Sequence, residues 1–201
     1  MNNKKTGFIE GIVSEFKWYN EPAEYKYNNG LVIKTSPYTD FWQKTHYQFQ
    51  KDNGHCYLTE KTGDFSLIAS FEFTYKVLYD QCGLFLKIDQ YNWVKTSIEY
   101  EDKEVSKLGS VVTNFGYSDW ATTDISTGVK AMCYRINKNG NDILLENSHD
   151  GINWKQMRIS HLHKDSEKVQ VGIYACSPKD SSFECKVTKV IIGENKWKHE
   201  E

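Results

Sequence analysis

The run Phe65-Ser66-Leu67-Ile68-Ala69-Ser70-Phe71-Glu72-Phe73-Thr74-Tyr75 decides the fold class. Phe65, Leu67, Ala69, Phe71 and Phe73 take every second position, with Ser66, Ser70, Glu72 and Thr74 between them. Successive side chains of a strand point to opposite faces, so this spacing predicts a strand with one face in an apolar core. Val169-Gln170-Val171-Gly172-Ile173 and Cys185-Lys186-Val187-Thr188 repeat the pattern. Turn signals separate such runs: Asn28-Asn29-Gly30, Asp52-Asn53-Gly54, Asn139-Gly140-Asn141 and Asp150-Gly151. About fourteen candidate strands follow, and no convincing helix longer than about two turns. Many short strands with evenly spaced turns predict an all-β sandwich or barrel.

The chain has 201 residues without repeats, low-complexity tracts or Pro/Ser-rich linkers, which predicts one domain over 1–201 with its core at about 8–192. A net charge of −2 argues against coating nucleic acid, and no apolar run approaches the ~20 residues of a spanning helix. Met1 to Gly7 lead into no apolar signal segment, so a cytoplasmic location is expected. The five cysteines form no C-x-x-C pair. Cys82, Cys133 and Cys185 share the parity of Leu84, Ala131 and Val187, so free buried thiols are expected.

Two consecutive strands carry the functional reading. In Gln81 to Ile88 the apolar set is Cys82, Leu84, Leu86 and Ile88, leaving Gln81, Gly83, Phe85 and Lys87 on the other face. After Asp89-Gln90-Tyr91-Asn92, Val94, Ile98 and Tyr100 face the core, while Trp93, Lys95, Ser97 and Glu99 oppose them. Paired as a hairpin, these strands place Gln81, Lys87, Trp93, Lys95 and Glu99 on one surface. An indole beside cations and a carboxylate suits a polar ring-shaped ligand, with hydroxyls or phosphate taking the hydrogen bonds. A solvated outer face with cross-strand ion pairs is the alternative. Trp42, Tyr117 and Trp120 lie in expected loops at the rim, Tyr47 in an expected strand His46–Phe49, and Arg135 and Arg158 at polar strand positions.

Catalytic signals are sparser. His161-Leu162-His163 lacks a third ligand at a recognisable spacing, so no metal and no cofactor are expected. No nucleophile elbow, phosphate loop or H-E-x-x-H is present. Among carboxylates, Glu99 and Asp119 are the pair considered for acid/base work, whereas Asp102-Lys103 reads as a hairpin turn. Ser148-His149-Asp150-Gly151-Ile152-Asn153-Trp154 is similar to a shortened Asp-box, in which Asp150, Gly151 and Trp154 would be structural.

The ordered set Asp40-Phe41-Trp42, Asn53-Gly54-His55, Gly63-Asp64-Phe65, Tyr79-Asp80-Gln81-Cys82-Gly83-Leu84, Trp93-Val94-Lys95, Ile98-Glu99-Tyr100, Val112-Thr113, Ser118-Asp119-Trp120 and Ser148-His149-Asp150-Gly151 resembles domain-of-unknown-function family 1349. That family includes a fungal protein named for regulation of enolase. The resemblance runs from about Phe8 to Val190. It implies a concanavalin A-like jelly-roll sandwich of two antiparallel sheets, whose concave sheet often binds carbohydrate in the wider superfamily. It marks Asp80, Gln81, Trp93, Lys95, Glu99, Ser118, Asp119 and Trp120 as groove positions, and implies no established reaction. The calcium and manganese cluster of legume lectins has no counterpart here.

The expected function is non-catalytic carbohydrate binding, with Gln81, Lys87, Trp93, Lys95, Glu99 and Arg135 lining the groove and Trp42 and Trp120 at its rim. Lys87, Lys95, Arg135 and Arg158 would favour a sugar phosphate or acidic sugar. The alternatives are a regulator that grips a metabolic enzyme such as enolase, and a sugar-active enzyme using Glu99 and Asp119.

Overall fold

The computed structural model describes residues 8–10 and 15–197, and among them it contains strands and no helix. The short early strands are β1 (Ile9–Glu10), β2 (Lys17–Tyr19), β3 (Glu24–Tyr27), β4 (Leu31–Lys34), β5 (Phe41–Gln43) and β6 (Gln50–Asp52). Longer ones follow: β7 (His55–Thr62), β8 (Phe65–Phe73), β9 (Gln81–Asp89), β10 (Asn92–Tyr100), β11 (Val105–Asn114) and β12 (Tyr117–Ser126). The last are β13 (Ala131–Asn139), β14 (Asp142–Ser148), β15 (Lys155–His161), β16 (Lys168–Cys176) and β17 (Glu184–Gly193).

They form two large sheets. One runs β15-β14-β13-β8-β17-β4-β3, with β1 parallel to β17; the other runs β12-β11-β10-β9-β16-β7-β2, antiparallel throughout. This is the two-sheet sandwich expected from the alternation, in the jelly-roll form that the resemblance implies. Phe65, Leu67, Ala69, Phe71 and Phe73 of β8 all lie in the core between the sheets, as do Cys82, Leu84, Leu86, Val94 and Ile98. Asp102 caps the β10–β11 turn, its Oδ1 accepting from the amides of Glu104 and Val105 at 2.8 Å each.

Three expectations need correction. Cys133 is half-buried on the outer face beside Ser70, because Met132, Tyr134 and Ile136 take the core parity of β13; the other four free thiols are buried. Tyr47 and Phe49 belong to no strand and sit in the turn between β5 and β6. Trp42, Tyr117 and Trp120 are not in loops: Trp42 is on β5, and Tyr117 and Trp120 are on β12, an edge strand whose residues are mostly exposed and therefore show no alternation.

The seven-stranded sheet is unusual in carrying a second apolar layer on its far face. Phe41, Trp42, Cys56, Leu58, Phe85, Trp93, Val111, Tyr174 and Cys176 form it. The β5–β6 hairpin supplies the cover. Phe41 is fully buried, its ring 4.5 Å from Phe85 and 6.2 Å from both Trp93 and Tyr174. Burying such a side chain stabilises by about 1.5–3 kcal/mol. Gly54 makes the approach feasible, since a Cβ there would sit 2.3 Å from the Phe41 ring.

Candidate functional site

The antiparallel register pairs Trp93 with Lys87, Lys95 with Phe85, and Glu99 with Gln81. Gln81, Lys87, Trp93, Lys95 and Glu99 therefore share one face, but it is not a solvated one: Trp93 is 0% exposed and Glu99 8%. The reason is the hairpin. Trp93 stacks on Phe85 at 5.4 Å beneath Phe41, so its ring is packing and offers no open face to a ligand.

Cover ends beyond Phe41, and a cleft of about 320 Å³ opens over Gln81, Lys95 and Glu99. Its walls are aromatic. Trp42, Tyr47 and Phe49 come from the hairpin, Tyr79 from the turn before β9, and Trp120 from β12. Trp120 is 37% exposed and Trp42 nearly buried, its Nε1 donating to the Thr45 carbonyl at 3.1 Å.

Polar order on the floor is tight. Lys95 Nζ donates to Gln81 Oε1 at 2.8 Å and lies 3.5 Å from Asp40 Oδ1. Gln81 Oε1 also accepts from the Tyr174 hydroxyl at 2.9 Å, and Gln81 Nε2 donates to the Tyr79 carbonyl at 3.0 Å. Asp40 is aimed by its neighbours: its amide donates to Asn53 Oδ1, and its carbonyl accepts from the Asn53 and Gly54 amides. Burial pushes the Glu99 carboxyl up to about 7; Lys95 opposes the shift, and Asp40 and Glu101 add to it. Burial pulls Lys95 down, but Asp40 and Glu99 outweigh it and leave its pKa raised. A carboxyl titrating near neutrality can give or take a proton, and here Asp40 is the second carboxylate on the cleft.

Several residues marked by the sequence lie elsewhere. Asp80 is fully buried as a fastener: Oδ2 accepts from the amides of Lys76 and Val77 and from Ser181, while Oδ1 accepts from Ser177. Lys87 pairs with Asp52 at 3.3 Å and covers the Tyr19 ring at 3.6 Å. Ser118 Oγ accepts from the Gln43 amide, joining β5 to β12. Asp119 has the opposite parity to Trp120, pairing across from Val112 of the core, and meets Arg158 at 2.7 Å where the two sheets' edges approach. Glu99 and Asp119 are thus not brought together on the cleft. Arg135 sits on the other sheet, bonded to Glu146 and 4.3 Å above the Trp154 ring. Every cation expected to attract an anion is consequently paired with a carboxylate. Asp150 closes its own turn, accepting from the Ile152 and Asn153 amides at 2.8 Å. No cluster of potential metal ligands occurs among the described residues.

Tyr38, Asp40, Lys51, Tyr79 and Lys179 line the cleft without having been marked as ligand positions. Their segments lack periodicity, but backbone geometry marks two of them, Tyr38 and Tyr79. Eight described non-glycine residues have positive φ, and Tyr38, Lys44, His46, Gln48 and Tyr79 all lie on the segments framing the cleft. Left-handed backbone at bulky residues is strained, and such strain gathers at functional sites.

Comparison with known proteins agrees with this architecture. A family model described as Protein of unknown function (DUF1349) matches residues 18–195. Regulation of enolase protein 1 of Saccharomyces cerevisiae is 32% identical over 168 residues, 83% of each chain. A solved structure of a functionally unknown protein from the same yeast superposes with a TM-score of 0.85 at 27% identity, covering 91% of this chain and 98% of that one. The GH43 BlXynB protein from Bacillus licheniformis shares the fold at a TM-score of 0.66 and 14% identity, over 86% of this chain and 35% of its own.

Proposed function

The chain belongs to the DUF1349 family, and on that footing we propose that it binds a small carbohydrate in the cleft over Gln81, Lys95 and Glu99 without transforming it. The observation that carries this reading is the juxtaposition of Trp42, Tyr79 and Trp120 with a buried polar floor. Sugars present apolar C–H faces and hydroxyl edges, and a mostly apolar pocket with a few convergent polar groups matches both. A volume of about 320 Å³ lies at the small end for ligand sites, favouring a small molecule over a long polymer. Likeness to GH43 proteins is one of fold and adds analogy alone.

A thermal-shift screen of neutral sugars, sugar phosphates, uronic acids and short oligosaccharides tests the reading. Ligand at about 100 times its Kd adds roughly 2.7 kcal/mol of stability, a shift of several degrees at this size. Trp120→Ala removes the shift while leaving the unliganded melting temperature within about 2 °C, since its ring is partly exposed. A flat screen overturns the proposal. Incubating any hit with the protein and finding a converted product would replace binding with acid/base chemistry at Glu99 and Asp40.

The second reading is a regulator of a metabolic enzyme, favoured by the printed name of the yeast relative and by exposed Tyr38, Tyr47, Phe49 and Tyr117 near the mouth. Stoichiometric co-purification with enolase, lost in a Tyr47→Ala/Phe49→Ala variant, would support it.

A further inference from the structure

The protein is net negative at −2, yet its cleft is not. Lys51, Lys95 and Lys179 line it against two carboxyl groups, Asp40 and Glu99. Lys95 is occupied on the floor by Gln81 and Asp40. Lys51 and Lys179 stand differently: both are exposed, and neither forms an ion pair among the described residues. Asp180, the acidic neighbour of Lys179, acts electrostatically on Tyr38, raising its pKa.

Both lysines belong to the cover and not to the sheet. Lys51 on β6 is the cross-strand partner of Trp42, so the two share a face and both reach the cleft. Lys179 lies in the loop after β16, its ammonium 5.5 Å from the Tyr79 ring centroid. At the floor Lys95 therefore offsets Asp40 and Glu99, and unpaired positive charge sits at the lip. Such a polarity selects a ligand whose hydroxyls face inward and whose anion faces outward.

We propose that the ligand is an anionic sugar, a hydroxylated ring carrying one phosphate ester or carboxylate, with the ring over Gln81, Lys95 and Glu99 and the anion at the lip within reach of Lys51 and Lys179. This rests on the carbohydrate reading above and narrows it. It assigns the anion to residues other than Lys87, Arg135 and Arg158, whose charges are already spent on Asp52, Glu146 and Asp119.

Isothermal titration of glucose, galactose and mannose, of their 6-phosphates, of glucuronate and galacturonate, and of inorganic phosphate alone tests it. At least one anionic sugar is expected to bind roughly tenfold tighter than its neutral parent, the gain two exposed ammonium groups can give an anion. That advantage shrinks toward one in a Lys51→Ala/Lys179→Ala variant, and shrinks as salt rises from 0.05 to 0.5 M by roughly the screening expected. The phosphate and uronate arms identify which anion is read. Equal affinity for neutral and anionic sugars, or an advantage untouched by the double variant, overturns the inference and leaves carbohydrate binding standing. Inorganic phosphate binding as tightly as every sugar phosphate overturns the placement of the ring. Absence of binding by all probes overturns both.

Discussion

Trp93 and Trp120 lie on neighbouring stretches of one sheet face and have opposite fates. Trp93 is sealed under Phe41 and Phe85, whereas Trp120 stands at the cleft wall. Trp93→Ala is expected to cost about 3–5 kcal/mol in denaturant unfolding, the usual loss for a large buried aromatic. Asp80→Ala is expected to cost about 3 kcal/mol or more by the same measurement, since four buried or partly buried donors lose one charged acceptor. Glu99 makes a pH-dependent contribution. Its carboxyl titrates at about 7 when folded against an ordinary 4.5, so between these values the native state holds a proton that the unfolded chain has released. Stability from this group is complete below about pH 4.5 and lost as pH rises through 7, by up to about 3 kcal/mol. Lys95, Asp40 and Glu101 are the charged groups acting on it. Glu99→Gln should flatten that slope in unfolding curves collected from pH 4.5 to 8; an unchanged slope would show that Glu99 titrates normally.

Among elements, the β5–β6 hairpin is the part that turns a sandwich face into a cleft. It is held by side-chain contacts with the seven-stranded sheet, namely Phe41 on Phe85, the Ser118 bond to Gln43 and the Lys87–Asp52 pair, and not by strand pairing with either large sheet. Phe41→Ala should therefore raise amide exchange across residues 41–52 far more than across β8 or β17, a contrast hydrogen-exchange mass spectrometry resolves. Uniform loss of protection would mean that the hairpin and sandwich unfold together. The same division explains what was readable in advance. Strands with one wet or polar face, β8 above all, announced themselves by alternation, and the faces of β9 and β10 followed from two apolar sets of fixed parity. Three-residue strands such as β5 and β6 are too short to display a period, so the cover, and with it the burial of Trp93, was illegible. Asp119 was misplaced for a related reason: on an exposed edge strand, polarity does not report which side a residue faces.

For the molecule as a whole, the cleft occupies the boundary where the second apolar layer stops and buried charge begins. That position puts Gln81, Lys95 and Glu99 on paired strands and segments with left-handed backbone above them, a division common to recognition sites on β scaffolds. Surface pairs contribute little by comparison. Breaking Arg158–Asp119 with Arg158→Ala should change stability by no more than about 1 kcal/mol despite linking the sheet edges.

Burial on both faces has a consequence for how the chain finds its pairing. In β9 and β10 nearly every residue is enclosed, so contact with water does not by itself hold these strands in one alignment. A slip by one residue would exchange the two faces and carry Lys87, Lys95 and Glu99 into the main core, away from Asp52, Asp40 and Gln81. An unpaired charge there is prohibitive. These three side chains thus act as a proofreading mark for strand alignment, and a Lys95→Met variant should refold with more heterogeneous kinetics even where its final stability is undiminished.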